Sequence, residues 1–368
     1  MAYNLGTLIE KLEDDREFIT TLRHPLAQFG SSNRQLLGAT LLPDRNRELY
    51  ENSFDDEDFE IRAIAGRDTT RYSPVDNQTK IKHRRVHIEL GEMDSGSSLH
   101  ASHIDALNRT LARQGQEAGT DMLVSMVDDL ANGGLNDKKE IQRWEALVFA
   151  KIRIQLRDKQ AQDIQLLDPT GHRFDAGGLW SDNAYNPFLD LFEMYRRAEE
   201  AGHPLRAAYC RGRIWALLQR NATVASKLGV LQVNNASQLQ SRESINSRSQ
   251  IQLYLQSEGY PPLTVYNLDY HTPTGTGYFL RDDVIVGVGS TPKQYELTNL
   301  PEGSEDRILY NRLGFFEIGT CAGQDSVGPV VDVSYHKKKP VGIEVEAYLT
   351  GVTNVQEDEA VFVIKNIN

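Results

Sequence analysis

Hydrophobic positions fall into two periods along this chain, and the changes between them mark its elements. From Asp137 to Ala150, the residues Ile141, Trp144, Glu145 and Val148 step along one side at helical spacing, which predicts an amphipathic helix with one apolar stripe. Asn136 and Asp137 stand where they can cap its start, and Glu140 falls where a capping-box partner would sit. The period then shortens to two. Ile152, Ile154 and Leu156 alternate with Arg153, Gln155 and Arg157, and Ile164-Gln165-Leu166-Leu167 answers after a polar turn, so a small hairpin is expected. A loop with Asp168-Pro169-Thr170-Gly171 and Trp180 follows, then two helices, from Phe188 to Gly202 and from Arg211 to Leu228.

Upstream, Phe59 to Ile64 alternates as a strand, and Lys82 to Leu90 does so less cleanly; the stretch from Ala65 to Pro74 between them is polar and turn-rich. The acids Asp55, Asp56, Glu57 and Asp58 precede the first strand, and Lys80, Lys82, Arg84 and Arg85 open the second. Opposite charges facing each other on paired strands stabilise the pairing by roughly 0.2–1 kcal/mol each. The pattern predicts a long two-stranded flap with few apolar residues, and a lone ribbon of that kind is marginal in water. Something outside must hold it, and an adjacent subunit is the natural candidate; a solvated surface hairpin is the plainer alternative.

The first 40 residues read as two short amphipathic helices, on Leu5, Leu8, Ile9 and Leu12 and on Phe18, Ile19 and Leu22, stopped by Pro25 and Gly30-Ser31-Ser32. They fit an arm on a neighbouring subunit and a helix packed on its own domain equally well. Residues 99–131 keep helical spacing through Ile104, Leu107, Leu111, Met122, Leu123, Met126, Val127 and Leu130; Gly115 and Gly119 weaken the middle, and Asn132-Gly133-Gly134 is expected to end it. Further on, Leu263 to Leu268 reads as a strand set by Pro261-Pro262, residues 231–250 as an Asn/Gln/Ser-rich flexible loop, and Pro301 to Asp306 as another loop. Gly342 to Leu349 alternates strictly, and Ala360 to Ile364 is an apolar strand. Strong strands at this end imply a subdomain built from both halves of the chain.

With 368 residues the chain exceeds the size at which one core keeps growing, so two packed subdomains plus extensions are expected. Hydrophobic residues make up 39% and mean hydropathy is -0.49, which suits a soluble chain with polar extensions and some apolar surface left for a partner. The longest apolar run, around Val284-Ile285-Val286, is too short to cross a membrane. The stretch from Leu5 to Leu26 has neither the basic start nor the apolar run of a secretory signal. Two cysteines, Cys210 and Cys321, argue against a disulfide framework and fit a reducing compartment. A net charge of -12 argues against a general nucleic-acid binder, and ordinary cytoplasmic enzymes are often acidic too.

Reactive constellations are sparse. His100 and His103 sit three apart without a carboxylate or Cys at ligand spacing. Gly287-Val288-Gly289-Ser290 lacks phosphate-loop spacing and reads as a strand-end turn. Cys210, between Tyr209 and Arg211, reads as a structural thiol, the Asp55–Asp58 run as a solvated face, and Lys337-Lys338-Lys339 as a solvated turn.

The series from Asn136 to Leu228 resembles the phage lambda-type major capsid protein family (major capsid protein E family). In that family a glutamate-bearing helix leads into a short hairpin, then a loop with Gly and Trp, then a helix opening at Asp or Pro, then a helix patterned W-x-x-L-x-x-N-x-x-V, here Trp215, Leu218, Asn221 and Val224. Phe279-Leu280-Arg281-Asp282 resembles its aromatic-Leu-x-Asp turn, and the run from Pro340 to Glu346 resembles its last strands. The resemblance implies an α+β, Hong Kong 97-type (HK-97-like) capsid fold with a long spine helix. Its divisions would be an N-terminal arm at 1–40, an extended β-hairpin loop at 41–92, a peripheral subdomain with the spine helix at 93–185, an axial subdomain at 186–309 and a return to the peripheral subdomain at 310–368.

The implied function is a major capsid protein without enzymatic activity, cofactor or metal. It would self-assemble into hexamers and pentamers that close into the icosahedral head around the double-stranded DNA of a tailed phage. Its partners would be further copies of itself and scaffolding, portal and decoration proteins; it would enclose DNA without sequence-specific binding and engage no membrane. It would be assembled in the host cytoplasm and end in the virion. Arg62, Arg67, Asp68, Arg71, Arg84 and Arg85 are the expected contacts between the loop and a neighbouring subunit. The Lys–Asn cross-link of some relatives is not carried over. The rival readings are an encapsulin-like nanocompartment shell of the same fold and, from another class, a cytoplasmic enzyme with a small-molecule pocket.

Overall fold

The computed structural model describes residues 35–51, 53–63, 79–99, 101–114, 116–154, 162–228, 247–272, 275–291, 294–296, 308–310, 312–336 and 342–368. The helices expected between Leu5 and Leu22, the Lys337–Lys339 run and the loop from Pro301 to Asp306 lie outside them.

A short helix α1 (Leu37–Leu41) and strand β1 (Asp44–Asn46) lead into β2 (Ser53–Ala63), which pairs antiparallel with β3 (Thr79–Glu89). One residue later comes β4 (Gly91–Leu99), then α2 (Ala101–Gln114) and the 34-residue α3 (Gln116–Phe149). The hairpin β5 (Lys151–Ile154) and β6 (Gln162–Gln165) forms where the alternating residues predict it. Next are β7 (Arg173–Asp175), α4 (Phe188–Glu200), β8 (Leu205–Cys210), α5 (Gly212–Arg220), α6 (Ala222–Lys227) and α7 (Arg248–Ser257). The rest is strands: β9 (Leu263–Val265), β10 (Asp269–Thr272), β11 (Gly275–Tyr278), β12 (Ile285–Gly289), β13 (Gln294–Glu296), β14 (Ile308–Tyr310), β15 (Gly314–Ile318), β16 (Val330–His336), β17 (Gly342–Val355) and β18 (Val361–Lys365).

Two larger sheets organise the body, and the class is α+β. The first is built on β17. Gly351 pairs with Gly91 of β4 and with Ile318 of β15, so those strands lie on opposite edges; β16 shares the edge with β15, and β1 extends it in parallel. α3 packs across β17 and β4. Val345, Ala347 and Leu349 are buried beneath it while Glu344 and Glu346 are exposed, as expected of an antiparallel sheet with one wet face. The second sheet runs β7-β18-β12-β8-β9 and is covered on both faces, which is why β12 and β18 read as continuous apolar runs. Val286, Val288, Val361 and Val363 join Trp144, Leu147, Tyr209 and Tyr266 in one core. Ile285, Phe362 and Ile364 join Trp180, Phe188, Trp215 and Leu255 in the other.

Several expectations are corrected. Asn132-Gly133-Gly134 does not end a helix; α3 runs through it. A Cβ at position 134 would overlap the Ser95 side chain of β4, so the glycine serves close approach of helix to sheet, while nothing crowds position 133. Asn136, Asp137 and Glu140 therefore lie inside the helix rather than at a cap, and Glu140 is fully buried. The helix expected from Arg211 to Leu228 is two helices broken at Asn221, whose side chain caps the second. Asp55–Asp58 lies within β2, not ahead of it, because basic residues of β3 stand opposite. Gly287 and Gly289 lie within β12 rather than in a turn; a Cβ at 289 would come within 2.5 Å of the His203 carbonyl oxygen. Arg248 to Gln250 opens α7 through a Ser247–Gln250 capping box instead of continuing a loop. The 310–368 segment divides between the sheets: β15, β16 and β17 belong to the first, β18 to the second.

Candidate inter-subunit surfaces

The ribbon β2–β3 pairs over eleven residues per strand, about 36 Å of extended chain at strand rise. Among the described residues it belongs to no larger sheet. Its register sets Glu57 opposite Arg85, Asp58 opposite Arg84 and Glu60 opposite Lys82. These pairs favour the ribbon itself. Beyond them the sign changes: Arg62 stands opposite Lys80, two like charges that disfavour pairing in isolation. Of the expected contact residues, Arg84 and Arg85 thus have in-register acids on their own ribbon, Arg62 has none opposite it, and Arg67, Asp68 and Arg71 lie outside the described residues. The spacing of charges in the sequence could not reveal this difference, because it depends on register.

The ribbon's base is fixed on both strands. On the incoming side, buried Glu140 of α3 accepts from Gly38 N at 2.7 Å, Trp144 Nε1 at 2.8 Å and the Tyr266 hydroxyl at 2.7 Å, clamping α1 to the long helix. Burial, then the Glu140 charge, push the Tyr266 hydroxyl far above the usual phenol range, so it stays a donor. Asp44 accepts from Lys139 Nζ at 2.6 Å and from Arg143. Burial pushes its carboxyl up, but the two cations and their hydrogen bonds outweigh that and leave it below its ordinary value. Arg45 and Arg47 both converge on buried Glu317 of β15, the Arg47 contact at 2.9 Å. Tyr50 then turns the chain in the left-handed region (φ 64), held by Thr320 Oγ1 on its N–H and Asp325 on its hydroxyl, both at 2.9 Å. On the outgoing side, Ile88 is buried in the first core and β4 joins the first sheet.

The second core carries its own polar frame. The Asn221 amide nitrogen lies 3.0–3.2 Å from the carbonyls of Trp180, Asp182 and Tyr185, and its oxygen accepts from Thr223 N and Val224 N. Asp190 accepts from Trp180 Nε1 at 2.7 Å, the Tyr185 hydroxyl at 2.7 Å and Gly177 N at 3.0 Å. These bonds explain Trp180 of the Gly- and Trp-bearing loop and Asn221 of the helix pattern: both fix the 177–185 loop over α4 and α5. Outside this frame Leu179, Leu189 and Leu253 are exposed.

The other wet surface is the face of the first sheet away from α3. Glu92 and Asp94 of β4 and Glu344 and Glu346 of β17 are exposed there, and a depression of about 380 Å³ lined by Glu92, Cys321, Gln324, Val330 and Tyr348 opens beside them. Of these acids sequence inspection singled out Glu346 alone, as the end of the Pro340 to Glu346 run; the others look like ordinary solvated strand residues. Cys210 is buried, and burial pushes its thiol well above the usual range, consistent with a structural role. Among the described residues no group of three or more His, Cys, Asp or Glu is arranged to hold a metal ion, and no helix is long and apolar enough to cross a membrane. His103 lies on α2, and His100 is outside the described residues.

No protein-family model matches the chain, and no curated protein matches it. Among solved structures it is similar to a prophage protein from E. coli CFT073 described as a capsid protein, at 16% identity over 100% of both chains with a TM-score of 0.49. It is also similar to the capsid of Myoviridae phage XM1, at 11% identity over 90% of this chain and 91% of that one, TM-score 0.42. A third is the holo-SrpI encapsulin complex from Synechococcus elongatus PCC 7942, at 12% identity over 91% and 88%, TM-score 0.39.

Proposed function

We propose that the chain is a shell subunit, the major capsid protein of a tailed double-stranded DNA phage with a Hong Kong 97-type fold. Copies assemble into hexamers and pentamers, and these close into an icosahedral head. The observation that carries this is the ribbon: two eleven-residue strands rooted by partly buried ion pairs, yet paired with nothing but each other among the described residues. Two paired strands alone have marginal stability in water, so the rigid base is best explained by a neighbour that covers the ribbon. The contacts are heterologous, one surface of a copy against a different surface of the next, which generates closed rings when the rotation closes. Arg62, Arg67, Asp68, Arg71, Arg84 and Arg85 act in those contacts, with Arg62 foremost because no acid faces it in register. α3 is the spine, packed on the first sheet, and the second sheet with its covering helices forms the axial part. Scaffolding, portal and decoration proteins are the further partners.

Sedimentation and negative-stain electron microscopy of the purified chain test this. Closed shells or ring-shaped capsomers are expected, and replacing residues 53–89 by a short Gly/Ser linker should leave a folded small species. A wild-type chain that stays a compact monomer or a small closed oligomer across salt and concentration overturns the proposal.

A further inference from the structure

Building on the shell reading above, we propose that the cation-only surface of α5, α6 and α7 takes the sugar-phosphate backbone of double-stranded DNA, so that this part of each subunit faces the enclosed genome. The chain carries 52 acids against 40 bases, yet neither the stretch 201–228 nor α7 (Arg248–Ser257) contains a single Asp or Glu. The bases are kept: Arg213 and Arg220 on α5, Lys227 on α6 and Arg248 on α7, all four exposed. α5 packs against both α6 and α7, so the four stand on adjoining helices.

The fold holds these cations outward. Ile214, Trp215 and Leu218 fill the buried side of α5. Arg213 and Arg220, seven residues apart, stand on its opposite side, about 10 Å from each other along the axis. The Arg248 guanidinium lies over the Trp215 ring, 5.8 Å from its centre, which ties the start of α7 to α5. Arg213 pairs with Asp282 at 3.1 Å. Among the described residues Arg220, Lys227 and Arg248 enter no ion pair. The other flanking acids are Glu258, just past α7, and Asp182, whose carboxylate accepts from Ala184 N.

The chemistry of the surface favours a phosphate polymer. Ser226, Ser249 and Gln256 are exposed on the same helices, and no carboxylate of these helices repels an anion. Arg and Lys, with Ser, Thr and Gln, are the side chains that hold DNA phosphates without reading sequence. A duplex presents one charge per about 1.7 Å of its axis, so several cations on adjoining helices engage it at once. The net charge of -12 does not oppose this at close range. Charges beyond a Debye length, about 8 Å at physiological salt, are largely screened, and the local cations decide.

Fluorescence anisotropy of a short labelled duplex, titrated with the full chain before assembly, tests this. Three phosphate contacts predict a slope of about -2.7 in log K against log salt, so affinity should fall roughly 40-fold between about 50 and 200 mM salt. Arg220→Gln with Lys227→Gln and Arg248→Gln should abolish the binding, and the charge-conserving Arg220→Lys with Arg248→Lys should keep it. Arg109→Gln with Arg113→Gln and Lys138→Gln removes as much charge from α2 and α3 and should leave most of the binding. Circular dichroism of each variant guards against misfolding. The inference is overturned if both triple variants lose binding equally, or if poly-glutamate binds these helices more tightly than the duplex. It is also overturned if the first triple variant no longer assembles, which gives the surface to a neighbouring copy. Sedimentation reads shell formation separately. A wild type that forms shells but binds no duplex sinks this inference alone; one that binds through these cations but forms no shells keeps the surface and ends the shell reading.

Discussion

Replacing Asn221 gives the most direct check on how the second core is held. The side chain is 2% exposed and serves two separate jobs. Its oxygen caps α6 by accepting from Thr223 N and Val224 N; its amide nitrogen donates toward three carbonyls of the 180–185 loop. Losing an N-cap costs about 0.5–2 kcal/mol. Leaving buried carbonyls without a donor costs about 1–3 kcal/mol. The terms overlap, so Asn221→Ala should cost about 2–4 kcal/mol in all. Asn221→Ser keeps a capping oxygen and should recover about 1 kcal/mol of that. Urea unfolding followed by tryptophan fluorescence is the assay, since Trp180 and Trp215 both lie in this core and the third tryptophan, Trp144, lies in the other. An Asn221→Ala variant within 1 kcal/mol of wild type, or an Asn221→Ser variant no more stable than Ala, would refute the two-job account.

The two adjacent glycines of α3 should respond with opposite signs. Gly133→Ala should stabilise by about 0.5–1 kcal/mol, since the position is helical with nothing within 4 Å of an added Cβ; Gly134→Val should destabilise by about 1–3 kcal/mol by forcing the helix off Ser95. Thermal melts of the two variants check the pair. Acid sensitivity should follow Asp44: its folded pKa lies below the ordinary 3.8, so the unfolded chain binds its proton first, and the stability from its pairing is complete above that value and lost as the pH falls through the lowered one. Asp44→Asn should flatten that limb of the stability–pH curve; an unchanged slope counts against the assignment. Cys210 and Cys321 are both buried, so a thiol reagent should label native protein slowly and unfolded protein at once.

Local period and charge in the sequence were enough to mark the ribbon, the small hairpin, the long helical region and the apolar runs that became β12 and β18. Each of those is a statement about which face of a segment is apolar or charged, and side-chain order alone carries it. What covers each face is decided by residues far away along the chain. Glu140 looked like a cap residue because its partners, Gly38 and Tyr266, lie 102 and 126 positions off. Gly133-Gly134 looked like a helix end because glycine's local preference is to break helices; Ser95 on the packed sheet reverses its meaning. Asn221 stands out in the sequence only as a position of a helix pattern; that it caps α6 and holds the 180–185 loop follows from the tertiary structure. β18 left the terminal sheet for the second one because an apolar strand is stable wherever both its faces can be covered, and only the assembled body offers such a slot between β7 and β12.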